Sequence, residues 1–202
     1  LERMTQIMEI QQEVLDHWKR FVKEIEEIVT YHTAEEEITE RVSKKLKSYL
    51  NSGLSIPNEY TLPNPDKYVL YPLYIAPDES FSISSAVWDV GQSTPIHNHG
   101  VWGVIGIVDG KEREVQFLES RIEGGELDKV GERFLHKGDV TVCCSKDLDI
   151  HKVNCASDTP CIGIHIYGGN IGTKPRYVYD RASGEKKEVI TPWSKSPLIS
   201  EI

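Results

Sequence analysis

The chain has 202 residues, 39% hydrophobic and 27% charged, which is enough apolar content for one domain-sized core with an appendage. Its 32 acidic against 23 basic residues give a formal charge of −9, which argues against a nucleic-acid binder, since phosphate recognition needs a basic face. No apolar run is long enough to span a bilayer and the N-terminus is polar, so neither a transmembrane segment nor a secretory signal is expected.

Residues 4–51 read as helical. Ile7, Ile10, Val14, Leu15, Trp18, Val22, Ile25 and Ile28 recur at three- and four-residue steps and form one apolar stripe. Thr33 followed by Glu36 has the spacing of a capping box, so a second helix is predicted to begin there and to stop before Gly53. Residues 1–52 are thus expected to be N-terminal helices packed on the domain that follows. Residues 53–66, rich in Pro, Asn and Ser, are a connecting segment.

From residue 67 the pattern changes to short β-runs: 68–75, 81–90, 101–108, 112–118, 127–134, 139–144, 149–154, 160–167 and 175–180. Turn signals such as Asp109-Gly110, Gly124-Gly125 and Lys137-Gly138-Asp139 separate them. Many short strands at regular spacing predict an antiparallel sandwich or barrel over 67–180. The polar stretch 181–202 reads as a partly ordered C-terminal tail. Cys143, Cys144, Cys155 and Cys161 lack metal or disulfide-framework spacing and read as reduced residues, with the cytoplasm as the expected location.

The chemistry concentrates in three histidines. His97 and His99, in Pro95-Ile96-His97-Asn98-His99, stand at i and i+2, which on extended backbone aims both imidazoles at one point. His151 can complete one side of an octahedral metal site, leaving the other positions open for ligands. His165 and Tyr167 repeat the i, i+2 relation. Taken alone they read equally well as a packed histidine and a core tyrosine with a satisfied hydroxyl. His17, His32 and His136 carry no comparable signal.

Gly91-Gln92-Ser93-Thr94-Pro95-Ile96-His97-Asn98-His99 fits the first cupin motif, G-x5-H-x-H, and Lys137-Gly138-Asp139-Val140 followed by His151 looks like the second. Together with His165-Ile166-Tyr167-Gly168-Gly169-Asn170-Ile171-Gly172, the segment 55–180 resembles the bacterial thiol dioxygenases of the cysteine dioxygenase and 3-mercaptopropionate dioxygenase type. The resemblance implies a mainly β fold, a double-stranded β-helix (cupin) barrel preceded by N-terminal helices. It implies Fe(2+) held by His97, His99 and His151 without the carboxylate ligand of other cupins. Where that carboxylate would be sought stand Trp102, Gly103 and Val104. The implied reaction adds both atoms of O₂ to the sulfur of a small thiol, giving a sulfinate. The implied partners are that thiol and O₂, with no nucleic acid and no membrane, in a monomer or homodimer.

By the same resemblance His165 and Tyr167 form a hydrogen-bonded catalytic relay, and Arg176 faces a substrate carboxylate. A fork-shaped guanidinium suits that task and favours a thiol carboxylate such as 3-mercaptopropionate over cysteine. Two positions depart from the family pattern. Gly163 stands where a serine usually precedes the relay histidine, and Lys67 where Arg or Gln is usual. Lys67 either binds a carboxylate as a point charge or simply reaches solvent. With no thiol near 104, no cross-link to the tyrosine is expected, and Trp102 is expected to wall the pocket. A cupin enzyme using another metal and a non-catalytic sensor or binding module are the alternatives.

Overall fold

The computed structural model describes residues 1–144 and 146–202. Two helices, α1 (Glu2–Tyr31) and α2 (Glu35–Asn51), form a hairpin through His32-Thr33-Ala34. The capping box is not used. Ala34 occupies the N-cap with no side-chain hydrogen bond, and His32 Nδ1 instead reaches Glu37 Oε1 at 3.0 Å across the turn. Glu35, Glu36 and Glu37 still place negative charge on the exposed N–H groups of the first turn. The apolar stripe packs only from Val14 onward. Trp18, Phe21, Val22 and Ile25 are buried, whereas Met4, Ile7, Met8 and Ile10 are exposed. The cause is length: α1 has 30 residues and α2 only 17, so the first turns of α1 run past their partner.

The strands are β1 (Val69–Ile75), β2 (Ser82–Trp88), β3 (Ile96–His97), β4 (Gly103–Asp109), β5 (Lys111–Leu118), β6 (Asp128–His136), β7 (Val140–Cys144), β8 (Ile150–Cys155), β9 (Cys161–Tyr167), β10 (Arg176–Tyr179) and β11 (Lys186–Val189). They form a five-stranded sheet, β1-β2-β9-β4-β7, and a six-stranded sheet, β11-β10-β3-β8-β5-β6. The strand pairs within both are antiparallel. Apart from the hairpins β1–β2, β5–β6 and β10–β11, successive strands cross between the sheets, and the result is the double-stranded β-helix expected from the sequence.

Side-chain alternation explains why β2, β4 and β9 are buried on both faces. In β9, Ile164 and Ile166 join the cluster beneath the helices, with Trp18, Val42 and Leu46. The alternate residues Gly163, His165 and Tyr167 belong to the opposite, barrel-facing side. Gly106 of β4 lets α2 lie close, since a Cβ there would meet Leu46 Cδ2 at 2.7 Å. The helices therefore shield one sheet and leave the barrel interior to polar chemistry.

Three local features depart from the sequence reading. Residues 181–202 are not a loose tail: β11 pairs with β10, Ser194 Oγ donates to Leu70 O at 3.0 Å, and Ile199 bridges to Tyr74. Trp102 packs over Gly168 in the helix-side core instead of walling the pocket. The Cys143 and Cys144 sulfurs lie in bonding contact, whereas Cys155 and Cys161 are free, so the four cysteines are not alike. A register shift between Gly103 and Val104 lets both sulfurs turn toward Gly103, on the side of the Tyr167 ring. Sulfur thus does reach this position, from β7 and not from β4 and in bonded form.

Candidate metal centre

His97 and His151 are cross-strand partners in register, β3 against β8, and their Nε2 atoms lie 3.2 Å apart. His99 lies just beyond β3, and its position comes from Asp149. The carboxylate accepts the His99 backbone N–H at 3.1 Å, the Gly100 N–H at 2.8 Å and the His99 Nδ1–H at 3.0 Å. The intervening Asn98 points the other way, its Oδ1 accepting the Tyr177 N–H at 2.8 Å. The ligand atoms of the three histidines all lie within 4.8 Å of one another, and all three residues are buried.

Every Nδ1 of the triad is committed. His97 Nδ1–H donates to Pro95 O at 2.9 Å, His99 Nδ1–H to Asp149, and His151 Nδ1–H to Glu114 Oε1 at 2.8 Å. Because these partners only accept, each ring carries its proton on Nδ1 and turns a bare Nε2 lone pair inward. Two such lone pairs 3.2 Å apart repel unless a cation lies between them, and the buried His99 Nε2 has no hydrogen-bond partner among the described residues. Two nitrogens about 2.1 Å from one ion and at right angles are separated by about 3 Å, close to the His97–His151 spacing. The three histidines fit a divalent metal ion. Burial, and then the neighbouring His151, hold His97 and His99 well below the ordinary histidine range, so both are neutral and available as ligands at neutral pH.

The carboxylates near the site face away from the Nε2 side. Burial acts to raise Glu114, but hydrogen bonds from His151 and Arg133 outweigh it and hold the carboxyl below its ordinary value. Glu114 also pairs with Arg133. Asp149 and Glu114 thus act as orienting partners of ligand histidines, the arrangement that fixes tautomer and ring angle. Sequence reading passed over both. For Glu114 a signal was present in Glu112-Arg113-Glu114-Val115, two glutamates at inward positions of a strand, but the same spacing also describes a solvated edge.

His165 and Tyr167 lie beside the triad. His165 Nδ1 and the Tyr167 hydroxyl are 2.9 Å apart, and the Tyr167 ring stacks on His99 with centroids 5.1 Å apart. Burial, then His151 and Arg176, lower His165 to about 3, and burial pushes the Tyr167 hydroxyl far above its usual range. Both are neutral across the physiological range, and the tyrosine keeps its proton. Arg176, only 5% exposed, borders the same small cavity of about 20 Å³ as His97, His151, His165 and Tyr167. It forms no ion pair among the described residues.

His97 and Arg176 also reach a larger opening of about 440 Å³, bounded by Tyr68, Leu70, Trp193 and the exposed Lys67. The structure therefore brings His97, His99, His151, His165, Tyr167 and Arg176 together, and puts Lys67 at the rim.

No protein-family model matches the chain. Among solved structures it is similar to an uncharacterized conserved Klebsiella pneumoniae protein with a double-stranded β-helix domain, at 12% identity and a TM-score of 0.44, over 69% of this chain and 93% of that one. It is similar to an RmlC-like cupin family protein from Methanocaldococcus jannaschii at 11% identity and a TM-score of 0.40, over 52% of this chain and 85% of that one. Oxalate oxidase in complex with the substrate analogue glycolate matches at 19% identity and a TM-score of 0.41, over 52% of this chain and 53% of that one. These are distant likenesses of strand architecture. The chain itself is a mainly β, double-stranded β-helix protein with a buried three-histidine group able to hold a metal ion.

Proposed function

We propose that the protein is an Fe(II)-dependent thiol dioxygenase acting on a small thiol carboxylate of the 3-mercaptopropionate kind. The observation that carries the reading is the buried Arg176, without an ion pair among the described residues, beside a three-histidine face with no carboxylate among the described residues turned to its Nε2 side. A guanidinium that borders both cavities and forms no ion pair among the described residues leaves its donor fork free for an anionic ligand. Three neutral imidazoles leave a bound dication its full charge, which suits a ligand arriving as a thiolate.

His97, His99 and His151 would hold the iron. Bound there, Fe(II) supplies the redox chemistry by which a thiolate sulfur takes up both atoms of O₂ to become a sulfinate. The remaining work belongs to the protein. Arg176 offers its planar fork to the carboxylate and so fixes where the thiol end of a short chain lies. Tyr167, held protonated by burial, offers an O–H donor at the same cavity. Its oxygen accepts from His165 Nδ1–H in the arrangement that leaves that O–H free. Trp193 and the chain leading to it narrow the mouth and limit water entry. Lys67 adds positive charge at the entrance.

Oxygen uptake by iron-loaded protein with 3-mercaptopropionate, cysteine, cysteamine and mercaptosuccinate tests the reading, and no consumption with any of them would sink it. Arg176→Ala is expected to raise KM for 3-mercaptopropionate at least tenfold, the loss of roughly 1.5–3 kcal/mol for a charge-assisted hydrogen bond, with little effect on cysteamine. Equal effects on both thiols would remove Arg176 from carboxylate binding.

A further inference from the structure

Behind the His165–Tyr167 pair, on the side away from the metal centre, lies an acid that the mechanism above does not use. Glu112 is 0% exposed, and neither carboxyl oxygen has a hydrogen-bond partner among the described residues. His165 Nε2 is likewise buried without a partner. Trp88, whose ring lies beside His165, also has a buried Nε1 without a partner among the described residues, and unsatisfied polar groups this close together require an explanation.

Gly163 lies between them. A Cβ built there would lie 3.1 Å from His165 Nε2 and 3.2 Å from Glu112 Oε1. The absent side chain is thus what leaves the space between acid and imidazole open. Glu112 stands on β5, in register with Leu135 of β6 and Cys155 of β8, while Gly163 and His165 belong to β9 in the opposite sheet. The ionisable groups around it are Glu114 on its own strand, Cys155 on β8, and Cys161, His165 and Tyr167 on β9. None is a cation that would hold Glu112 as a carboxylate. Burial, and then Glu114, raise it to about 8, so at neutral pH it is an acid with a proton to donate.

We propose that Glu112 is a positioning residue that donates its proton, through one water, to His165 Nε2 and thereby fixes the imidazole as the Nδ1–H tautomer. The consequence runs along the chain of donors. His165 Nδ1–H then donates to the Tyr167 oxygen, and the Tyr167 O–H has no partner left but the ligand cavity. In the other tautomer His165 Nδ1 accepts, the Tyr167 proton turns back toward the histidine, and the cavity loses its donor. A buried acid with a raised pKa that serves as a donor is an established device in enzyme interiors. Glu112 in this account replaces the hydroxyl that Gly163 lacks.

The test has two arms, of which only the second rests on the thiol dioxygenase reading. In zinc-loaded protein, nitrogen NMR of His165 is expected to show the Nδ1–H tautomer in the wild type and in Glu112→Gln, whose amide still donates. Glu112→Leu is expected to shift it to the Nε2–H form. An Nε2–H wild type, or an unchanged tautomer in Glu112→Leu, overturns the proposal. In iron-loaded protein with 3-mercaptopropionate, Glu112→Leu is expected to lower kcat about tenfold, as removal of an orienting hydrogen bond commonly does. Gly163→Ser in that background, placing a hydroxyl beside Nε2, is expected to restore most of it. A Glu112→Leu protein that binds metal, turns over at the wild-type rate and keeps its tautomer would reduce Glu112 to a packing residue. If the wild type turns over no thiol, the dioxygenase reading falls and the tautomer still decides the role of Glu112.

Discussion

At the scale of single residues, the centre is organised by what lies behind each imidazole. Pro95 O, Asp149 and Glu114 take the three Nδ1 protons, and that turns three Nε2 lone pairs inward, where one cation can accept all of them. His151→Ala leaves two ligands and is expected to abolish metal retention during dialysis against a chelator, measured as metal per chain. Full occupancy in that variant would remove His151 from the site. Glu112 gives a second prediction, in stability. Its folded pKa is raised from the ordinary 4.5 to about 8, so its contribution to stability is complete below 4.5 and is lost as pH rises to about 8. Each pH unit in that window is worth about 1.4 kcal/mol. Glu112→Gln does not titrate, so its stability relative to wild type is expected to rise between pH 5 and pH 8 in chemical denaturation. A constant difference across that range would mean that Glu112 is ionised in the folded protein.

At the scale of elements, the C-terminal segment behaves as part of the barrel. Trp193 Nε1–H donates to Asn170 Oδ1 at 2.8 Å, and the indole lies over Gly172, where any Cβ would run into it. Gly172→Ala is therefore expected to dislodge Trp193, with faster protease cleavage in 181–195 and a red-shifted tryptophan emission. Unchanged cleavage would show that the segment is anchored elsewhere, through β11 or Ile199. The histidine motif shows the same dependence on neighbours. Extended geometry accounts for His97, which pairs directly with His151, whereas His99 lies beyond the ladder and is placed by Asp149. A period-two rule found both histidines but not the carboxylate that aims one of them, because Asp149 is distant in sequence and ordinary in type.

At the scale of the molecule, helices and barrel divide the work. The helices bury one face of the five-stranded sheet, leaving the barrel interior free to hold polar groups. Leu46→Ala opens a cavity between α2 and Gly106 and is expected to cost about 2–5 kcal/mol in unfolding while metal affinity is kept. A parallel loss of metal affinity would show that the helix layer positions the site. The two-helix start, the strand-rich body and the His97–His99–His151 group that could hold a metal were all legible in the sequence, because apolar period and motif spacing are local properties. The short strands β3 and β11 were not, since two residues, or a polar run such as Lys186–Val189, carry no apolar alternation. That Glu112 lies across from Gly163 and His165 emerged only when β5 and β9 faced each other across the barrel. The sequence alone determined that these side chains exist, at spacings that suit a metal. The tertiary structure decided that Arg176 is buried without an ion pair among the described residues and that Glu112 faces the space at Gly163, because burial and pairing are properties of packed neighbours.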